Sequence, residues 1–361
     1  MSDSPILLTP GPLTTAAGTR RAMLRDWGSR DPAFIALTAE LRAGLLRAAK
    51  GEGTHAAVPL QGSGTFIVEA AVATLVGPRD KLLVLVNGAY GERMVTIAER
   101  MGRAVTALRW PEDRAVEAAR VAEALRADPA ITHVALVHCE TTTGLLNPLE
   151  EVAAVVAEAG RAFLLDAMSS FGALPLDLSA TPVTAVLASS NKCLEGVPGI
   201  GFALVTPAAL EAAAGRSPSL SFDLHAQWKG FEGDGQWRFT PPVQVVAALV
   251  EALRAFEAEG GQPARLTRYA DNLSTLLVGM RRLGFELFLD EALQAPIIAT
   301  FRLPESLAFR PFYDALAERG FLIYPGKLTR AETFRIGCIG ALGRADLERL
   351  LAAVEAVLAP A

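Results

Sequence analysis

From about Thr65 to Val205 the chain alternates short, predominantly apolar runs with longer stretches that repeat at helical spacing. Lys81–Val86, Val105–Leu108, Val134–Val137, Ala162–Leu165, Val183–Ala188 and Gly201–Val205 read as buried strands. Helical patterns lie between them, near Glu92–Met101, Val116–Ala127 and Glu150–Ala159. Strands with no polar face need cover on both sides, and intervening helices supply it. The pattern therefore predicts an α/β fold with a mostly parallel sheet covered by helices. Right-handed crossovers follow.

The pattern changes over Gly215–Pro242, which is rich in Gly, Pro, Trp and Phe and has little periodicity. A long helix is expected over Val243–Glu259, broken by Gly260-Gly261, and a second over Arg265–Leu283, closed by Gly284 as a C-cap glycine. Phe285–Leu289 and Ile297–Phe301 read as strands, Phe309–Arg319 as a helix and Arg344–Leu358 as a closing helix. This predicts a large domain over residues 1–260 and a smaller C-terminal α+β domain over residues 261–361. The first twenty or so residues are expected to pack against the smaller one.

Composition then removes several classes of protein. A chain that is 51% hydrophobic is not disordered. Its apolar runs fall far short of the roughly twenty residues a membrane span needs. With 34 Lys and Arg against 39 Asp and Glu and no dense basic cluster, a nucleic-acid partner is not expected. Any anion it binds should be small and held by a few placed groups. Cys139, Cys193 and Cys338 are odd in number and form no Cys-x-x-Cys pair, as in buried thiols of a cytoplasmic protein. Met1–Pro5 carries an acid where a secretory signal carries Lys or Arg, which also predicts a cytoplasmic protein. His55, His133, His138 and His225 lack metal-ligand spacing, so no metal is expected.

Three short segments carry chemistry. Gln61-Gly62-Ser63-Gly64-Thr65 opens a buried helix, where free backbone N–H groups and the positive helix end make a phosphate cup. Asp166 follows the apolar Ala162–Leu165 run, at the strand end where α/β ligand sites form. Lys192 follows a second apolar run, flanked by residues that desolvate it and lower its pKa toward a usable amine nucleophile. Singly, each reads equally well as a turn, a cap or a surface lysine. Together, a phosphate cup, a buried carboxylate and a strand-end lysine are what pyridoxal 5'-phosphate requires: Asp166 keeps the pyridine nitrogen protonated and Lys192 condenses with the aldehyde.

Longer motifs carry a resemblance over almost the whole chain. They are Leu8-Thr9-Pro10-Gly11-Pro12-Leu13-Thr14, Leu60-Gln61-Gly62-Ser63-Gly64, Asn87-Gly88-Ala89-Tyr90-Gly91 and His138-Cys139-Glu140-Thr141-Thr142-Thr143-Gly144. They continue with Asp166-Ala167-Met168-Ser169-Ser170-Phe171-Gly172, Ser190-Asn191-Lys192-Cys193, Ile323-Tyr324-Pro325-Gly326-Lys327 and Phe334-Arg335-Ile336-Gly337. In these the sequence resembles the 2-aminoethylphosphonate–pyruvate transaminase family, a branch of the class V aminotransferases among the fold-type I pyridoxal phosphate enzymes. Glu195 and Cys338 depart from the family pattern, where Gln and Asn are usual.

The resemblance implies a residue for each role. Lys192 and Asp166 are catalytic, and Ser63, Gly64 and Thr65 hold the cofactor phosphate, with Asn191 beside them. Tyr90 lays its ring on the pyridine, and Thr141, with Thr143 as a second candidate, bonds the phenolic oxygen. Trp237 and Thr240 match positions that reach the neighbouring subunit's phosphate, which implies a homodimer. Arg335 takes the substrate's phosphonate or carboxylate in paired hydrogen bonds, one arginine serving both half-reactions. The implied substrates are 2-aminoethylphosphonate and pyruvate. An alanine–glyoxylate or serine–pyruvate transaminase shares the same cup, acid and lysine. A cysteine desulfurase and a catalytically silent ligand-binding protein of the same fold are further alternatives.

Overall fold

The computed structural model describes residues 4–328 and 331–359; the amino-terminal Asp3, read above against a secretory leader, lies outside them. Strand β1 (Ile6–Leu7) is followed by helices α1 (Ala17–Arg21) and α2 (Pro32–Ala48) and then by β2 (Ala56–Gln61). The alternating segment comprises α3 (Gly64–Leu75), β3 (Lys81–Val86), α4 (Ala89–Arg100), β4 (Ala104–Arg109), α5 (Ala118–Ala127) and β5 (His133–Val137). A two-residue hairpin, β6 (Cys139–Glu140) and β7 (Leu145–Leu146), precedes α6 (Leu149–Glu158), β8 (Ala162–Asp166), β9 (Ala185–Ser189) and β10 (Ile200–Val205). Seven of these strands form one sheet in the order β2-β10-β9-β8-β5-β3-β4. Only β10 runs antiparallel to its neighbours β2 and β9. The expected α/β fold is the one observed.

That order fixes where a ligand can sit. The chain passes from β3 outward to β4, then returns to place β5 on the other side of β3. The reversal opens a crevice outside the carboxyl ends of β3 and β5, the usual ligand position in such sheets. Asp166 ends β8, in register with Val137 at the end of β5.

The rest of the chain is helical around a second, smaller sheet. Helices α7 (Pro207–Ala212), α8 (Leu224–Gly233), α9 (Val243–Glu259) and α10 (Gly261–Arg282) lead to β11 (Ile298–Arg302), α11 (Phe309–Glu318), β12 (Phe321–Leu322), β13 (Tyr324–Pro325), β14 (Thr333–Gly337) and α12 (Arg344–Leu358). Strand β14 lies between β11 and β13, antiparallel to both. Strand β1 pairs in parallel with β12, so the chain's beginning is tied to this second sheet. One large core covers both faces of the seven-stranded sheet. A second, centred on Phe285, Phe301, Phe312 and Phe334 and including Leu8, lies around the small sheet.

Three local expectations are corrected. Phe285–Leu289 is not a strand: it makes the single bridge Leu287–Phe301, and the aromatic ring of Phe285 turns inward against Phe334 at 5.4 Å. The partner of β11 is instead β14. Helix α10 begins four residues earlier than expected, with Pro263 in its first turn where the missing N–H costs nothing. The Gly/Pro-rich segment contains α8, started by the Asp223 carboxylate accepting from the Ala226 N–H at 2.9 Å. Gly284 does follow the end of α10, at φ +87°.

Candidate active site

The crevice is a cavity walled by Ser63, Gly64, Thr65, Tyr90, Arg93, Thr141, Asp166, Met168, Asn191 and Lys192, among others. These side chains come from the segments that follow the carboxyl ends of β3, β5, β8 and β9, α4 and the β6–β7 turn among them, and from the start of α3. The structure thus gathers eight of the residues picked out in the sequence around one space.

The phosphate cup has the donors it needs. Ser63 is the N-cap of α3, yet its hydroxyl makes no capping bond. The first N–H groups of a helix have no intrahelical acceptor, so this end is left with unpaired donors. Gly64 lies against the Met168 side chain: a Cβ there would stand 2.6 Å from its sulfur, so Met168 would have to shift. Thr65 Oγ1 accepts from an Arg93 Nη at 3.1 Å.

Asp166 is buried, and one carboxylate oxygen accepts from the Met168 N–H at 2.9 Å. The other makes no hydrogen bond among the described residues. Desolvation pushes the carboxyl up to about 6, against the Met168 N–H and the charges of Lys192 and Arg93. A buried carboxylate with an open acceptor fits a protonated ring nitrogen. Lys192 donates from Nζ to the Pro10 carbonyl at 2.6 Å. Desolvation lowers its amine to about 8. With an unpaired anion cup, an open carboxylate and a partly neutral amine on one cavity, the donor set fits pyridoxal phosphate.

A prediction arises here. Uptake of added pyridoxal phosphate by the apoprotein requires the neutral amine, so its rate should rise about tenfold per pH unit and level off above about 8. A midpoint at the ordinary lysine value, measured by growth of the visible band, would overturn the depressed pKa.

The remaining expected residues divide. Tyr90, the second residue of α4, is half-buried at the cavity wall, and the Arg93 guanidinium sits 4.8 Å from its ring centre. Thr141 lines the cavity and is buried. Thr143 does not line it: its hydroxyl donates to the Glu140 carbonyl and accepts from the Leu145 N–H, both at 3.3 Å, which closes the β6–β7 turn. Trp237 is in the large core, with its indole N–H donated to Thr38 Oγ1 at 3.1 Å, so the structure does not bring it to this cavity. Thr240 is exposed on a separate groove that Trp237, Arg30 and Phe239 also line. Arg335 is buried on β14 behind Thr141, donating from Nη1 to its carbonyl at 2.9 Å and from Nε to the Pro325 carbonyl at 3.1 Å. It makes no ion pair among the described residues, and burial lowers its pKa.

Two residues at this site had not been picked out for a role. Arg93 stands three positions after Tyr90 on α4, a spacing that puts both on one helix face. Glu140 lies within a quoted motif and proves fully buried. Its carboxylate accepts from the Tyr90 N–H at 3.2 Å and from the Thr142 hydroxyl at 2.8 Å, and it packs where a Cβ on Gly88 would be. Glu140 thereby fixes the start of α4, which carries Tyr90 and Arg93. Desolvation raises its carboxyl to about 7. The three cysteines are buried and free, and burial pushes the Cys193 thiol up to about 12. Cys338 is fully buried and likewise shifted upward, unlike an exposed, activated thiol. Among the described residues no cluster could hold a metal ion, and no helix is long and apolar enough to cross a membrane.

Comparison with known proteins defines the class. The family described as aminotransferase class-V matches residues 48–330. Among solved structures, alanine–glyoxylate aminotransferase from Nostoc sp. superposes with a TM-score of 0.93 at 28% identity, covering 99% of this chain and 96% of that one. Ureidoglycine–glyoxylate aminotransferase from Bacillus subtilis gives 0.91 at 25% identity, covering 99% and 94%. The chain belongs to the class V aminotransferase family and is a pyridoxal phosphate-dependent aminotransferase. Within that family it is 56% identical over 357 residues to a 2-aminoethylphosphonate–pyruvate transaminase of Pseudomonas fluorescens, covering 98% of this chain and 96% of the relative. It is 54% identical over 361 residues to the enzyme of that name from Pseudomonas putida, covering 99% and 98%.

Proposed function

We propose that the protein transfers the amino group of 2-aminoethylphosphonate to pyruvate, giving phosphonoacetaldehyde and L-alanine. The observation that carries this reading is the 56% identity, over nearly the whole of both chains, to a relative of that name. Bound at this site, pyridoxal phosphate supplies an aldehyde for amines and a ring that accepts the electrons of a broken C–H bond. Ser63, Gly64 and Thr65 hold its phosphate through the open end of α3, with Asn191 alongside. Tyr90 covers the ring face, Thr141 bonds the phenolic oxygen, and Asp166 holds the proton on the ring nitrogen. Lys192 Nζ binds the cofactor at rest. With the cofactor bound, Nζ would stand ready to take the proton from the substrate's amine-bearing carbon as base and to return it as acid. Arg335 binds the substrate's anionic end through donors not given to Thr141 and Pro325.

The chain divides near Gly260, and the small unit brings Arg335 to the crevice of the large one. It works as a cytoplasmic homodimer with shared active sites. Thr240, exposed, is the residue available to reach a second copy's cofactor phosphate, whereas the Trp237 N–H is already taken by Thr38.

Side-by-side assays decide the substrate. The loaded enzyme should turn over 2-aminoethylphosphonate with pyruvate at least about tenfold more efficiently than serine or alanine with glyoxylate, a gap of roughly 1.4 kcal/mol. The reverse order would assign it to the glyoxylate-using branch.

A further inference from the structure

We infer that Lys327 is a specificity-determining residue of this site: it pairs with Arg335 to form a two-cation clamp suited to a phosphonate dianion and only partly used by a carboxylate. The inference rests on the proposed substrate and goes beyond it by assigning the second charge.

The β13–β14 hairpin places the Lys327 backbone beside the strand that carries Arg335. Tyr324 faces Arg335 across the β13–β14 ladder, and Pro325 faces Phe334. The Gly326 N–H donates to the Thr333 carbonyl at 2.8 Å, which continues the pairing one residue further. Thr333 also fills the space where a Cβ on Gly326 would stand, so the two chains lie tightly together. Lys327 therefore leaves the hairpin two residues beyond the carbonyl that accepts the Arg335 Nε–H at 3.1 Å.

The charges around it are unbalanced. Elsewhere in the small unit, Arg265 and Arg268 are held by Glu195 and Glu259 at 2.7–3.5 Å. Lys327, Arg335 and Arg93 make no ion pair among the described residues. The carboxyls facing them are Glu140, whose oxygens already accept from Tyr90 and Thr142, and Asp166, which faces Arg93 and whose open oxygen fits the cofactor's ring nitrogen. Burial and the positive charges of Arg335 and Arg93 lower the Lys327 pKa, opposed only by Glu140. Cations held together without a counterion favour an anionic ligand over water.

The two substrates load this pole differently. A phosphonate near neutral pH carries up to two negative charges on three tetrahedral oxygens. Pyruvate and alanine each bring one charge on two oxygens. Arg335 has given two of its five donors to carbonyls, so three remain for a ligand. Those suffice for a carboxylate, but the third oxygen and second charge of a phosphonate need Lys327.

The test uses the cofactor-loaded enzyme and the variants Lys327→Met, which keeps the stem, and Lys327→Arg, which keeps the charge. Each half-reaction is followed spectroscopically, with 2-aminoethylphosphonate or with L-alanine. Lys327→Met should lower kcat/KM for the phosphonate by about tenfold or more, mainly through KM, and for alanine by less than about threefold. Lys327→Arg should recover most of the loss. Binding of two unreactive probes supplies a second readout: ethylphosphonate should weaken by about tenfold in the Met variant and propionate hardly at all. Equal losses for both anions, or a loss for neither, would overturn the clamp. If the unaltered enzyme does not use 2-aminoethylphosphonate, the functional reading fails, and the probe pair still tests the clamp by itself.

Discussion

Replacing Lys192 with alanine should abolish the visible absorption of the cofactor-loaded protein and lower turnover by at least about 10³-fold. The amine performs two tasks with one atom. In the proposed mechanism it binds the cofactor at rest and moves the proton during the reaction. Desolvation is what suits it to both, because an ammonium at its ordinary pKa would be almost wholly protonated at neutral pH and neither nucleophile nor base. At about 8 a useful fraction is neutral. The variant keeps the α3 cup and Asp166, so it should still bind pyridoxal phosphate, non-covalently and more weakly. Borohydride reduction followed by peptide mass measurement separates these effects. The unaltered protein should carry the cofactor's mass on Lys192, and the variant should carry none. A variant that kept both the band and full turnover would sink the assignment.

Legibility in the sequence followed the range of the interaction that fixes each residue. Asp166 and Lys192 each follow an apolar run, so a strand end marks them locally. Thr65 and Gly64 likewise belong to a turn visible in five residues. Trp237 is the opposite case: its indole is fixed by Thr38, 199 positions earlier, a contact no local pattern records. A long-range contact also decides Phe285–Leu289: it has the apolar density of a strand, yet the ring of its first residue is drawn into a cluster with Phe301, Phe312 and Phe334. Glu140 shows a different limit. A glutamate in a polar motif looks like a surface residue until the glycine at position 88 is seen to leave room for its carboxylate. Arg335, expected to take an anion in paired hydrogen bonds, already gives two of its donors to the Thr141 and Pro325 carbonyls. This makes it part of the join between β14 and the β6–β7 turn.

Lys192 reaches back to Pro10, and the segment containing Pro10 is tied to the small sheet by the Leu8 N–H to the Leu322 carbonyl and the Gly337 N–H to the Leu8 carbonyl, both at 2.8 Å. Gly337 ends the strand that carries Arg335. In the proposed mechanism the arginine that binds the anion and the catalytic amine are thus connected through one short stretch of backbone.

Asp166→Asn should reduce turnover by roughly 10²–10³-fold while making the apoprotein more stable at pH 8. Both effects come from the same buried charge. Asparagine keeps an oxygen for the Met168 N–H, so the local turn survives. It cannot hold a proton on a ring nitrogen through a formal charge, and the electron-accepting power of the cofactor falls. The stability change follows from linkage. The folded-state pKa, about 6, lies above the ordinary aspartate value of 3.8, so the folded state binds the proton more tightly than the unfolded one. Stability from this group is full below the unfolded value and is lost as pH rises through about 6. At pH 8 the apoprotein bears the whole desolvation cost, up to about 3 kcal/mol for a shift of about two pKa units. Asparagine pays a smaller cost, for a neutral amide, at every pH. The melting temperature of the variant apoprotein should therefore exceed that of the unaltered apoprotein by a few degrees at pH 8, and the gap should close toward pH 4. Adding pyridoxal phosphate should reverse the order, because only the aspartate gains a cationic partner. A variant apoprotein less stable than its parent at pH 8 would mean that the carboxylate is satisfied within the chain and not held open for the ring.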